Sequence, residues 1–193
     1  SEGKTFEILN DIDFEDEIFS PIPVFSGVFH GNGHTISGVK ISGKGSNIGV
    51  FRYVKSGALI NGLCVNGSVT PSGSKKNIGG IVGENSGKVS NCKFIGDVSG
   101  ESSVGGICGY ITQTGVAEGC SFEGTLSAKS YTGGITGQNF GTVISCENRG
   151  NINITETDEK KSLQDINTEI DIKEIRSTEN VDTKTDTGGI CGY

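Results

Sequence analysis

A chain of 193 residues that is 33% hydrophobic and holds 32 glycines cannot fill a thick globular core with large side chains; it suits a thin, elongated core of small and β-branched residues. The formal net charge of −7 argues against a nucleic-acid-binding face, which would be basic, and no run of about 18 apolar residues predicts a membrane-inserted segment. The absence of Met makes the chain read as a processed product or an excised piece of a larger protein, with room for a lost signal peptide.

The first 45 residues hold "ILNDIDFEDEIFSPIPV" followed by "FSGVFHGNGHTISGVKI". Alternation here places Ile8, Ile12, Phe14 and Ile18 inward and Asp11, Asp13 and Glu15 toward water. Asn32-Gly33 is a strong tight-turn signal. Residues 1–45 are therefore predicted to form the first one or two turns of the fold and to cover the end of its core.

From residue 46 to 155 one phrase recurs. "GGIVGENSGKVSNC", "GGICGYITQTGVAEGC" and "GGITGQNFGTVISC" begin at Gly79, Gly105 and Gly133, and a fourth Gly-Gly pair stands at Gly188, giving intervals of 26, 28 and 55. "NIGVFRYVKSG" matches "NIGGIVGENSG", which sets Gly49 against Gly79. Aligned in this way, the units show columns: Leu63, Cys92, Cys120, Cys146; then Val65, Phe94, Phe122, Asn148; then glycines 67, 96, 124 and 150; then Val69, Val98, Leu126, Ile152. Between them lie Cys64, Lys93, Ser121, Glu147 and Asn66, Ile95, Glu123, Arg149. Apolar and polar columns alternate with period two, the pattern of a strand buried on one face. Two or three short strands per unit, with glycine corners, make one coil of a β-solenoid. Coils stack about 4.8 Å apart, so like residues fall on like residues.

Residues 156–186 carry ten acidic and five basic side chains and no glycine or cysteine, and read as a charged excursion or a degenerate coil. "GGICGY", residues 188–193, reads as the start of a further repeat, and the chain as a whole as a single domain.

The combination of "FSGVFHGNGHTISGV" with "GGIVGENSGKVSNC" units resembles the GLUG-motif β-helix proteins. The resemblance covers nearly the whole chain outside 156–186. It implies an all-β, right-handed parallel β-helix and an extracellular or cell-wall-associated bacterial setting, because such repeats occur in adhesin-like proteins and in secreted immunoglobulin A metallopeptidases. The family commonly has Asp where His30 stands, and no catalytic residue is ascribed to the repeat.

Against that frame the chemical signals are sparse. Cys92, Cys120 and Cys146 share one inward column at a spacing compatible with a disulfide, but parallel side chains in a stack point alike, so a column of free thiols packed as small hydrophobes is expected. Cys108 and Cys191 occupy the position of Val82, Thr136 and Arg52, which places them near the surface. His30 and His34 flank a tight turn and make half a metal site at most. "GVKISGKG", residues 38–45, lacks the Ser or Thr and the helix that a phosphate loop needs; no H-E-x-x-H occurs, and the Gly-Gly phrases lack the Asp of calcium-binding solenoids. The acidic run Asp11–Glu17 reads as a solvated face. Glu123 and Arg149, on successive coils, are predicted to form a surface ion pair, and no outward column of the aligned strand gathers the two carboxylates a glycosidase needs. The expectation is a non-catalytic stalk or binding module without cofactor or metal, whose partners are a host glycan, a host surface protein or neighbouring domains. A carbohydrate-active β-helix and an accessory region of a metallopeptidase are the alternatives.

Overall fold

The computed structural model describes residues 2–73, 75–154 and 187–191; the charged stretch 156–186 lies outside them. The described chain is all-β, a parallel β-solenoid of about five turns. No helix long and apolar enough to cross a membrane occurs among the described residues.

Each full coil visits four faces, against the two or three strands the repeat suggested. In one coil these are Phe51–Val54 (face I), Leu59–Asn61 (face II), Cys64–Val69 (face III) and Lys76–Gly79 (face IV), after which Val82–Asn85 returns to face I. Faces I, II, III and IV build sheets of five, six, seven and four strands. The fourth strand escapes a sequence reading because "KNIG" is too short to show alternation; it pairs by register with Ser102–Gly105.

Pairing is parallel and tracks the sequence columns. Lys93, Phe94, Gly96 and Val98 sit opposite Cys64, Val65, Gly67 and Val69 on one side, and opposite Ser121, Phe122, Gly124 and Leu126 on the other. Asn148 and Ile152 continue them. The short strand Thr187–Gly188 lies on Thr132 and Gly133. One alignment shifts. Ile48 still bridges Ile78, but Phe51, not Arg52, faces Val82, because "IGVF" turns the corner with one residue fewer than "IGGIV".

The core is a column one coil wide. Face III contributes Val65, Phe94 and Phe122, face II Ile60, Val89 and Ala117, and the corner before face I Ile81, Ile107 and Ile135, all fully buried. The Phe94 and Phe122 rings stack with centroids 6.4 Å apart, while Phe25, Phe29 and Phe51 interlock near the N-terminal end. Burying each such Val, Ile or Phe side chain contributes about 1.5–3 kcal/mol, and since every coil touches only its neighbours, the sum is gained coil by coil.

The first coil follows its expected pattern only in part. Ile8 is buried and Phe14 packs on the core, but Ile12 and Ile18 are exposed. Ile12 lies opposite the buried Ile36 but on the end strand of the face III sheet, which leaves it uncovered. Alternation breaks only before Ile18, because Glu15 and Asp16 both take positive φ, 51° and 62°, closing a tight turn in which the Glu17 N–H donates to the Phe14 carbonyl at 2.8 Å. Asn32 and Gly33 form the predicted turn, with φ of 54° and 77°.

Candidate functional site

The cysteine column is inward as predicted at Cys92 and Cys120, both buried, and half-buried at Cys146. All six thiols are free. The Cys92 thiol donates to the Ser90 carbonyl at 3.1 Å, and the Cys120 and Cys146 thiols to the carbonyls of Glu118 and Ile144 at 3.4 and 3.3 Å. Contact with the Cys146 thiol lowers the Cys120 pKa, but contact with Cys92 and burial outweigh it, leaving it pushed up to about 12. The neighbouring Cys120 thiol, then burial, raises Cys146. Such thiols stay protonated near neutral pH and are poor nucleophiles. Cys108 corrects the sequence reading: it is fully buried, burial raises its pKa strongly, and Cys191, bridged to Thr136, is half-buried. The error follows from the one-residue shift, which removes Arg52 from their column and puts Phe51 there.

His34 does not turn toward His30. Its Nδ1 lies 3.2 Å from Asp11 Oδ1, and the Thr35 N–H donates to the same oxygen at 2.9 Å. Among the described residues no group of three His, Cys, Asp or Glu side chains is placed to hold a metal ion.

The outward charges pair differently from the expectation. Glu123 meets Lys93 at 2.9 Å, and Arg149 turns to Glu147 at 2.8 Å. The long Lys93 reaches diagonally across one coil, while Arg149 finds a nearer carboxylate two residues back on its own chain. Lys88 and Glu118 make another diagonal pair at 2.6 Å. At the corner before face IV, Lys75, Glu101 and Lys129 share a column: Glu101 accepts from the Lys75 N–H and from Lys129 Nζ, at 3.4 and 3.0 Å. Stacking like residues would stack like charges; this column alternates sign.

These contacts hold carboxyls below their ordinary values. The Thr35 N–H and His34 lower Asp11, Lys129 and the Lys75 N–H lower Glu101, and Lys93 lowers Glu123. A general acid needs the opposite shift. Because the folded pKa lies below the unfolded one, the stabilisation is complete above the ordinary values of 3.8 for Asp and 4.5 for Glu and is lost as pH falls through the folded values. Melting temperature is therefore expected to stay level from pH 7 to about 5 and to drop below that, less steeply in high salt, which screens exposed pairs. A fall in melting temperature that begins above pH 6 would contradict these assignments.

A different kind of surface lies at the corner from face I to face II. Tyr110, Thr112, Gln113, Thr114 and Phe140 line an open cleft of about 520 Å³, in which the Tyr110 and Phe140 rings stand 5.5 Å apart at 38°. The sequence reading missed it. The signal was the length of "GYITQTGV", which holds two residues more between its strands than "ENSGKV" or "QNFGTV".

The GLUG motif family matches residues 76–99. Halomucin from Haloquadratum walsbyi (strain DSM 16790 / HBSQ001), an archaeon, is 36% identical over 98 residues, which is 50% of this chain and 1% of that protein. The chain thus spans a very small part of the curated relative's length. No solved structure matches it significantly. The matched residues form one coil, stacked in register on neighbours that repeat its glycines and core positions, so the GLUG motif here is one turn of a parallel β-helix.

Proposed function

We propose that the chain is a rigid, non-catalytic structural segment of an extracellular, surface-associated protein, which holds outward-facing binding surfaces for a glycan or a surface protein. The observation that carries the reading is the continuous parallel pairing of faces II and III through successive coils, unbroken in register on face II and interrupted on face III by one bulge between Ile36 and Val39. This pairing makes the segment stiff along its axis: each coil is hydrogen-bonded and packed to the next. The match to a small part of a very long relative supports a role as one stretch of an extended polypeptide. The downward pKa shifts of Asp11, Glu101 and Glu123 support a display role over acid–base chemistry.

Pulling on handles at Glu2 and Gly150 tests the reading. The segment is expected to keep its length as load rises and then to lengthen abruptly, a whole coil or more at a time. Smooth lengthening from the lowest loads would overturn the stalk.

A further inference from the structure

The aromatic corner has the features of a built small-ligand site. On neighbouring coils the turn from face I to face II is short: Ser86-Gly87 after Asn85, and Phe140-Gly141 after Asn139. Between them, Thr112-Gln113-Thr114-Gly115 inserts two extra residues and forms a ledge over Phe140. The backbone marks the register, since Thr112 N–H donates to the Asn85 carbonyl, Phe140 N–H to Ile111, and Thr142 N–H to Gly115, at 2.9, 2.9 and 3.0 Å.

The ledge is held in place. Thr112 Oγ1 donates to Ser86 Oγ at 3.0 Å, Thr114 Oγ1 donates to the Ser86 carbonyl at 2.8 Å, and the two threonine hydroxyls lie 3.5 Å apart. A loop pinned in this way loses little freedom when it binds. Below it, Phe140 is 48% exposed and opens toward the half-buried Tyr110. Neither the Tyr110 hydroxyl nor the Gln113 amide makes a hydrogen bond to another described residue. Among the described residues no charged side chain lines the cleft.

Two tilted aromatic faces with unpaired hydroxyl and amide groups at their rim match the chemistry of a sugar ring, which offers C–H faces to aromatics and hydroxyls to polar donors and acceptors. None of these five side chains offers a cation to the anion of a uronic or sulfated sugar, so they suit a neutral ring better. We propose that the Tyr110–Phe140 corner binds a neutral saccharide. The assignment rests on the display reading above and names the ligand class of one displayed surface.

The test is titration of the chain with neutral hexasaccharides (cello-, malto-, laminari- and mannohexaose), with oligogalacturonate and with a proline-rich peptide, followed by the aromatic proton resonances. Binding of at least one neutral hexaose is expected, with the Tyr110 and Phe140 rings shifting. Tyr110→Ala and Phe140→Ala should each weaken it at least tenfold. Gln113→Ala, at an exposed side chain, should weaken it severalfold with an unchanged circular dichroism spectrum and melting temperature. Binding of none of the four neutral sugars, binding unaffected by these substitutions, or binding of the peptide or the uronate alone would overturn the assignment. The pulling experiment does not depend on a ligand, so a segment that holds its length but binds no sugar loses the saccharide site and keeps the stalk.

Discussion

Replacing Phe122 by alanine is expected to lower the unfolding free energy by about 3–5 kcal/mol, the range for a large aromatic removed from a closed core. The ring is completely buried, stacks on Phe94, and lies so close to Gly106 and Gly150 that a methyl group on either would collide with it. Those glycines let the backbone of the next strands settle directly on the ring. The hole left by its loss therefore borders backbone that is fixed by coil-to-coil hydrogen bonds and cannot collapse inward. The loss is read as a shift of the urea midpoint, with Phe140→Ala alongside. Phe140 is half exposed, and its removal should cost well under half as much. Equal losses would mean that burial is not what makes Phe122 matter.

Gly124→Ala comes next, with an expected loss of at least about 3 kcal/mol: a backbone penalty of about 1–3 kcal/mol for a side chain in this region and a steric one besides. Gly124 has φ of 139°, and a Cβ there would enter the carbonyl oxygen of Gly96 on the coil beneath. Gly96 stands in the same relation to Gly67, so the column is a line of close backbone contact. Gly62→Asn is the comparison. Gly62 has φ of 67°, its added Cβ would meet nothing closer than 3.6 Å, and Asn91, at the same corner one coil on, already adopts φ of 51°. That change should stay within about 0.5 kcal/mol of wild type. A mild Gly124→Ala would mean that the sheet can bulge locally and that the column is not tight.

The face III columns were legible in the sequence because a parallel stack repeats its environment: Phe94 and Phe122 answer the same space, and so do Gly96 and Gly124. What the columns could not reveal is where a corner gains or loses a residue. One residue fewer before Phe51 mislaid Arg52 and with it the burial of Cys108; two more after Thr112 raised the ledge over Phe140. Both lie in turns, where no alternation exists to count. Asn85 was missed for another reason. It is polar yet completely buried, because its side chain turns the corner, accepting from the Gly87 N–H and donating to the Val116 carbonyl, each at 3.0 Å. The phrase Asn-x-Gly marks it, and it returns at Asn139 and Asn148, whose side chains accept from Gly141 and Gly150 at 3.1 and 2.9 Å. The partners of Glu123 and Arg149 were misjudged because a column assigns neighbours straight across, whereas Lys93 reaches Glu123 diagonally and Arg149 turns back to Glu147 along its own chain.

The alternating column of Lys75, Glu101 and Lys129 bears on how such a chain lengthens. A coil duplicated without change lies directly on its own copy. Inside, that is harmless: phenylalanine on phenylalanine and glycine on glycine reproduce a fit that already exists. Outside, every charge would meet its like at the spacing of adjacent strands. Growth by copying therefore carries a built-in pressure for the outer positions to change while the inner ones stand still. The surface becomes varied as a by-product of getting longer, and each new coil arrives with a face unlike the one before it.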